Sequence, residues 1–251
     1  EACAGTKGSS ISAKDLMRLR KRFSMEQAQQ IASQFKLRRR AITRFPRAAE
    51  MLFTERSLKQ TTDAAIAQFK TELIREYASD VQHVTDLCCG MGGDLQALAN
   101  HFSVTGVDLD PEVCAIAQHN ASLNSQSTVE TIVEDATRLQ LKTDWVHIDP
   151  DRRHDGRRHT DVNAIQPGIE TLQRLIDQVG NTLQGVSIKL APASVIPKLW
   201  HTKCRLFWIQ SRKECRQQLA VFTAKNTKWN HRTALAIDND GACKWEYTAS
   251  N

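Results

Sequence analysis

The chain has 251 residues, and 41% of them are apolar, which is enough for the packed core of a soluble two-part protein. No run of residues approaches the roughly 18 consecutive apolar positions of a membrane helix, so the sequence predicts no membrane partner. The seven cysteines include no C-x-x-C pair, which favours a reducing, cytoplasmic location and no bound metal.

The first 80 residues are predicted to form a helical domain, with residues 1–11 disordered. Two matches to capping boxes and one apolar periodic run predict its helices. These signals are Ser12 with Asp15, Ser24 with Gln27, and a helix from Thr61 or Thr62 to about Tyr77. The predicted small core of this domain consists of Phe23, Ile31, Phe35, Ile42, Phe45, Leu52, Phe53, Phe69 and Leu73.

The basic surplus of the chain lies in this predicted domain. Residues 1–80 hold 16 Lys and Arg against 9 Asp and Glu, whereas residues 81–251 hold 18 against 19. These basic residues are either solvated helix faces or a phosphate-binding surface for nucleic acid. Those predicted to point outward are Arg18, Arg20, Lys21, Arg22, Lys36, Arg38, Arg39 and Arg40, and the last three are candidate substrate contacts.

Residues 84–94, VTDLCCGMGGD, read as a strand that runs into a glycine-rich turn. The apolar run LQALANHF follows and predicts a helix. Gly90, Gly92 and Gly93 would let the backbone pass close to a ligand or take φ > 0, and the helix N-terminus supplies free N–H groups. A plain tight turn is the simpler interpretation of the same residues.

The next strand favours the ligand-binding interpretation. Residues 103–110, SVTGVDLD, end in Asp108, eighteen residues after Gly90, where a carboxylate could accept both hydroxyls of a ribose. A dinucleotide fingerprint is disfavoured, because Leu95 replaces its third glycine and the charges of Asp86 and Asp94 would repel a pyrophosphate. S-adenosylmethionine carries an ammonium and a sulfonium, so an acidic rim suits it better.

DLCCGMGGD and GVDLDP at this spacing resemble the class I S-adenosylmethionine-dependent methyltransferases. The resemblance implies S-adenosylmethionine as cofactor and assigns an acidic residue after the third strand to the adenine amine, a role that falls on Asp135. Cys88 and Cys89 would be small packing residues in the turn. The implied cofactor contacts are Asp86, Cys88, Gly90, Gly92, Asp94, Asp108, Leu109, Asp135 and Ala136.

Strands that alternate with helices after residue 81 predict a parallel sheet with ligands at the carboxyl ends of its strands. Seven strands are what the resemblance implies. The predicted fold is an α/β, Rossmann-like methyltransferase sheet over residues 81–251, preceded by the helical domain. The further elements are a helix over 111–124, strands over 129–133, 144–149 and 186–190, and a closing pair over 205–210 and 219–223.

Asp149 and Pro150 stand at the end of the fourth predicted strand, where many amino-directed methyltransferases carry Asn or Asp before two prolines and an aromatic. Asp151 and Arg152 stand in place of the second proline and the aromatic, so stacking of a flipped base is not implied. Lys189, with Asp149 and Glu214, echoes part of the Lys-Asp-Lys-Glu set of ribose 2′-O-methyltransferases. A structural ion pair between Lys189 and Asp149 is the simpler interpretation.

The segment after Asp149 is rich in arginine and would border the methyl group, so it could hold a polynucleotide beside the catalytic residues. Pairing with nearby aspartates is the alternative. The candidate substrate contacts here are Arg152, Arg153, Arg157 and Arg158.

FPRAAEMLFTERSLKQTTD, HIDPDRRHDGRR and IKLAP look most like a bacterial family of class I methyltransferases named for a THUMP-like domain. In that family the THUMP-like region follows the catalytic domain, and too few residues follow the last predicted strands here to hold one. By analogy the family implies RNA as substrate. An RNA methyltransferase, with a base nitrogen favoured over ribose 2′-O, is the first prediction. A small-molecule or protein methyltransferase and an inactive RNA-binding module are the alternatives.

Overall fold

The computed structural model describes residues 11–123, 125–139, 142–151, 160–225 and 231–250. The chain separates into two compact units, Glu1–Gln60 and Thr61–Asn251. The sequence predicted a boundary after residue 80. The observed boundary follows Gln60, because a helix over 64–77 packs within the second unit. Residues 1–10 of the predicted disordered segment lie outside the described residues.

The first unit contains α1 (Ala13–Arg20), α2 (Met25–Ala41) and α3 (Glu55–Gln60). Both predicted capping boxes are confirmed. Ser12 Oγ accepts the backbone N–H of Asp15 at 3.1 Å, and Ser24 Oγ accepts that of Gln27 at 3.2 Å. In each box the third helical residue also accepts the backbone N–H of the capping serine, so two free donors are satisfied at each helix start.

The core of the first unit differs in part from the prediction. Phe45 and Phe53 are buried as predicted, with ring centroids 6.0 Å apart. Ile42 is 66% exposed, because the buried side of α2 carries Ala41 and the next residue lies about 100° further round the helix. Phe23 lies in the turn between α1 and α2 and is 38% exposed, so both residues were wrongly predicted as core.

Within its described residues the second unit contains four helices and nine strands. The helices are α4 (Ala64–Tyr77), α5 (Gly93–Leu98), α6 (Pro111–Ser122) and α7 (Ile169–Ile176), with 3-10 turns at Val162–Ala164 and Lys198–Trp200. The strands are β1 (His83–Leu87), β2 (Ser103–Asp108), β3 (Val129–Val133), β4 (Trp145–Ile148), β5 (Gly185–Leu190), β6 (Arg205–Ser211), β7 (Glu214–Thr223), β8 (His231–Ile237) and β9 (Cys243–Ser250).

All nine strands form one sheet in the order β3-β2-β1-β4-β5-β7-β6-β8-β9. The neighbours from β3 to β5 are parallel, and β7 is antiparallel to both β5 and β6. The predicted α/β sheet and its closing pair are therefore confirmed. The count exceeds the predicted seven, because β8 joins the edge of β6 and β9 pairs with β8.

The strand order reverses between β1 and β4, and in an open α/β sheet this reversal opens a crevice at the carboxyl ends of the strands. Leu87 and Ile148 end these two strands, so the residues that follow them share one edge of the sheet. Apolar clusters cover both sheet faces: one includes Trp145 and the side chains of α4 and α5, the other Trp200 and those of α7. None of the helices described is long and apolar enough to cross a membrane.

Candidate cofactor and catalytic site

The turn after β1 adopts backbone conformations that favour glycine. Gly90 and Gly92 have φ values of +53° and +81°, in the left-handed region. A Cβ on Gly92 would also lie 3.2 Å from the Cα of Ala117 on α6, whereas a Cβ on Gly90 would meet nothing within 4 Å. Cys88 has φ +59° without being glycine, which costs about 1–2 kcal/mol and marks a constrained turn.

Asp108 is fixed against this turn. Its Oδ2 accepts the backbone N–H of Gly90 at 3.0 Å, and its Oδ1 accepts that of Asp110 at 3.3 Å. The following side chain, Leu109, is 70% exposed, and Val133, paired with Asp108 in the sheet, is 51% exposed. The Asp108 carboxylate and the open space at Gly90 fit a ribose. The exposed apolar side chains of Leu109 and Val133 fit the flat base that the ribose carries.

Asp86 lies on β1 and is buried. Among the described residues its Oδ2 has no hydrogen-bond partner. Burial raises the pKa of its carboxyl well above the usual value, and the nearby Asp94 raises it further. A buried carboxyl with one unpaired oxygen fits a cationic ligand such as the ammonium or sulfonium of S-adenosylmethionine.

Asp94, in the first turn of α5, has partners inside the protein. It forms a buried ion pair with Lys70 of α4, and its Oδ2 accepts the hydroxyl of Thr62 at 2.8 Å. Burial opposes ionisation, but the Lys70 ammonium and His147 hold the pKa of the Asp94 carboxyl well below its usual value. Asp94 is therefore charged and internally paired, and its contact with the cofactor stays a prediction.

A polar chain continues from Lys70 into the sheet. Lys70 Nζ lies 3.1 Å from His147 Nε2, and His147 Nδ1 lies 2.9 Å from Ser187 Oγ. Burial and the Lys70 ammonium lower the pKa of His147, so its imidazole is neutral. His147 Nε2 also lies 3.5 Å from Asp94 Oδ2, so this nitrogen faces both the Lys70 ammonium and the Asp94 carboxylate.

Asp149 and Lys189 meet at the carboxyl ends of β4 and β5. Lys189 Nζ donates to Asp149 Oδ2 at 2.5 Å and to Thr62 Oγ1 at 3.1 Å. The Asp149 side chain is 26% exposed, whereas Lys189 and Pro150 are buried. The backbone N–H of Asp149 donates to the carbonyl of Leu87 at 3.2 Å, so Asp149 lies beside the start of the glycine turn.

Glu214 is not part of this cluster. Lys189 pairs with Leu219 in the sheet, and Glu214 lies five residues earlier on β7, about 17 Å away at roughly 3.4 Å per residue. Its carboxylate pairs with Arg216 at 2.8 Å. Glu214 therefore does not supply the fourth member of the Lys-Asp-Lys-Glu set, and the prediction that included it was wrong.

Asp135 and Ala136 follow β3, as the predicted adenine contacts should. Asp135 Oδ1 accepts the backbone N–H of Thr137 at 2.8 Å, and this bond lowers the pKa of its carboxyl. Ala136 packs against the apolar cluster beneath the sheet. Both residues lie next to Val133, and their contact with a cofactor stays a prediction.

Two of the three arginines predicted as substrate contacts in the first unit have partners within that unit. Arg38 Nε donates to the carbonyl of Met51 at 2.8 Å, and Arg40 Nη1 donates to both carboxylate oxygens of Glu55 at 2.9 and 2.7 Å. Arg39 is exposed. The second predicted cluster, Arg152, Arg153, Arg157 and Arg158, lies outside the described residues.

The sequence prediction missed Thr62, Lys70 and His147. A signal for Lys70 was present, since it shares a helical face with Ile66 and Leu73 in the run AAIAQFKTELI, where a charge must be paired. His147 stands in the buried strand WVHI, where a polar side chain also needs a partner. Thr62 had no signal beyond its place before a helix.

Residues 84–150 match the family model described as a methyltransferase domain. Two uncharacterized S-adenosylmethionine-dependent methyltransferases, from two strains of Mycobacterium tuberculosis, are 34% identical over 128 residues, 49% of this chain and 33% of theirs. The crystal structure of a proposed methyltransferase from Porphyromonas gingivalis matches 91% of this chain and 59% of its own, with a TM-score of 0.68 and 18% identity. The chain thus spans about a third of the length of the curated relatives it matches.

The sheet order, the glycine turn and these matches support the same enzyme class. The structural match shows the fold, and the matched domain includes Asp86 on β1, Asp108 on β2 and Asp149 directly after β4. Together they support a class I methyltransferase domain with S-adenosylmethionine as its cofactor, as the sequence predicted.

Proposed function

We propose that this protein is an S-adenosylmethionine-dependent methyltransferase that acts on RNA in the cytoplasm, with a base nitrogen as the favoured acceptor. The observation that carries the catalytic part is Asp149, a partly exposed carboxylate at the end of β4 whose backbone bonds to Leu87 at the start of the glycine turn. In the class I fold this position borders the cofactor's methyl group. We also propose membership of the family named for a THUMP-like domain.

The bound cofactor would supply a methyl group on a cationic sulfur. Asp108 would accept the ribose hydroxyls, and Leu109 and Val133 would flank the adenine. Asp149 would accept a hydrogen bond from the target amine and align its lone pair with the methyl group. Lys189 would hold Asp149 in place through the 2.5 Å bond between Nζ and Oδ2.

Nitrogen is favoured over a ribose hydroxyl because the Lys-Asp-Lys-Glu set is incomplete here. Glu214 lies away from the cluster, and the buried ammonium of Lys70 is paired with Asp94. Lys189 would have to serve as the only proton acceptor for a hydroxyl, and it already donates to Asp149.

RNA is favoured as substrate by the exposed basic residues of the first unit. Arg20, Lys21 and Arg22 are consecutive and exposed, and Lys36 and Arg39 add exposed charges on α2. Such a concentration of positive charge attracts a phosphate backbone. The cluster at residues 152–158 supports the same proposal from the sequence.

The proposal is tested by incubating the protein with radiolabelled S-adenosylmethionine and fractions of total RNA, followed by mass spectrometry of the nucleosides. A labelled methylated base supports the proposal. A labelled 2′-O-methyl nucleoside would show that the methyl acceptor is a ribose hydroxyl and not a base nitrogen. Label in protein or small molecules alone would support a small-molecule or protein methyltransferase. RNA binding without any label would indicate a binding module.

Replacement of Asp108 by Ala is expected to weaken S-adenosylmethionine binding at least about tenfold, because each charge-assisted hydrogen bond contributes about 1.5–3 kcal/mol. Isothermal calorimetry measures the change. Asp177→Ala on the C-terminal end of α7 is the control and should leave the affinity unchanged. Equal affinity in the Asp108 variant and the wild type would contradict the ribose assignment.

RNA affinity is expected to fall steeply with salt, with a slope of about 0.7 per contacted phosphate on single strands. Replacing Arg20, Lys21 and Arg22 by Gln should reduce that slope by about 2, because three contacts are lost. Gln avoids a new negative charge at the C-terminus of α1. Fluorescence anisotropy at several salt concentrations measures the slope.

The matched control removes three exposed positive charges from the second unit, in Lys142, Lys198 and Lys203. Its slope should stay at the wild-type value. Equal reductions in the two triple variants would show that net charge alone sets the affinity, and the first unit would then have no specific role in RNA binding.

A further inference from the structure

The Lys189–Asp149 pair is connected to a second buried ion pair by one hydroxyl group. Thr62 Oγ1 accepts from Lys189 Nζ at 3.1 Å and donates to Asp94 Oδ2 at 2.8 Å. Asp94 in turn pairs with Lys70. All but Asp149 are buried, so these bonds are shielded from water.

The structure explains how Thr62 reaches this position. A Cβ on Gly93 would lie 2.2 Å from Thr61 Oγ1 and 3.0 Å from the carbonyl of Thr62. Gly93 therefore lets the segment before α4 pack against the start of α5. The sequence predicted that Gly93 would let the backbone pass close to a ligand or take φ > 0, whereas in the structure it accommodates the protein's own chain.

The charges in the cluster balance. The two ammonium groups of Lys70 and Lys189 lie opposite the two carboxylates of Asp94 and Asp149, and burial raises the pKa of the nearby Asp86 carboxyl. The two ammonium groups repel each other, and the repulsion from Lys189 lowers the pKa of Lys70 after the larger effect of burial. Lys189 therefore needs fixed acceptors to hold its position, and Thr62 supplies one of the two shown.

We infer that Thr62 is a positioning residue: its hydroxyl joins the Asp94–Lys70 pair to the Lys189–Asp149 pair and holds the Lys189 ammonium against Asp149. The inference rests on the proposed function in one respect, namely that Asp149 orients the group that accepts the methyl. A proton relay through Thr62 would need Asp94 to take up a proton, and the lowered pKa of Asp94 opposes that. The hydroxyl therefore orients Lys189 and does not conduct protons.

The test compares Thr62→Val, which keeps the side-chain shape and removes the hydroxyl, with Thr62→Ser, which keeps the hydroxyl. Thr71→Val is the matched control, since Thr71 is also buried but its hydroxyl donates to the carbonyl of Ala67 within α4. In Thr62→Val the kcat of methyl transfer is expected to fall by at least about tenfold, because a displaced Asp149 would misalign the group that accepts the methyl. KM and the affinity for S-adenosylmethionine should stay near wild type, and Thr62→Ser should restore kcat.

A second measurement does not depend on activity. In protein with ¹⁵N-labelled lysine, the Lys189 ammonium signal is assigned by its loss in Lys189→Met, and its hydrogen exchange is followed by NMR. Exchange is expected to be faster in Thr62→Val than in the wild type and in Thr71→Val, because one of its hydrogen bonds is lost.

If the wild type methylates no RNA, the proposed function fails, and the exchange measurement still tests the coupling. Unchanged exchange in Thr62→Val would overturn the inference. Faster exchange with unchanged kcat would overturn the catalytic part of it. A loss of kcat in Thr62→Ser as large as in Thr62→Val would also overturn it, since the hydroxyl would then not be the group that matters.

Discussion

Asp149→Asn is expected to lower the kcat of methyl transfer by about 100-fold or more, because the carboxylate that orients the acceptor becomes an amide. The shape of the side chain is kept, and its oxygen can still accept from Lys189, so the fold should be preserved. Calorimetry should give a wild-type affinity for S-adenosylmethionine, since the lost contact belongs to the acceptor. Single-turnover kinetics with labelled cofactor measures the rate.

Asp177→Asn serves as the control, because it makes the same change at the C-terminal end of α7. Lys189→Met then separates the two acceptor chemistries. For a base nitrogen it should reduce kcat moderately through misplacement of Asp149, whereas for a ribose hydroxyl it should remove the proton acceptor and change the pH–rate profile. Full activity in Asp149→Asn would contradict the catalytic assignment and favour a binding module.

The sequence predicted those parts of the fold that local patterns determine. The predicted strands lie within a residue or two of β2 to β5, because alternating burial and flanking turns are encoded over a few residues. Ile42 was misplaced because apolarity alone does not tell which side of α2 faces its neighbours. The pairing of β8 with β6 joins distant segments, and no local pattern encodes that choice.

The candidate site was predictable only where motifs identify it. Asp108 and Gly90 follow from the glycine turn and the strand after it, and the structure joins them at 3.0 Å. Thr62 and Lys70 come from a segment far along the chain from Lys189, and only the folded sheet brings Thr62 against that lysine. The role of Gly93 could not be predicted for the same reason, since its lack of a side chain makes room for Thr61 and Thr62, which are also distant in the sequence.

Lys70→Met is expected to lower the free energy of unfolding of the second unit by about 3–5 kcal/mol, because it leaves the buried Asp94 carboxylate without its ammonium partner. All five tryptophans lie after residue 60, so denaturation followed by tryptophan fluorescence reports on this unit. Lys198→Met changes an exposed lysine and should cost less than about 0.5 kcal/mol. The double variant Lys70→Met with Asp94→Asn removes both charges and should recover much of the loss.

The loss of stability caused by Lys70→Met should depend on pH. In the wild type the pKa of Asp94 is lowered, so its contribution to stability is present above the unfolded-state pKa and is lost as the pH falls through the lower folded-state value. Without Lys70, burial should raise the pKa of Asp94 above its unfolded-state value, so the variant loses stability as the pH rises. The difference between wild type and Lys70→Met should therefore be smaller at about pH 4.5 than at about pH 7. A difference that is equal at both values would show that Lys70 stabilises the unit by packing and not through Asp94.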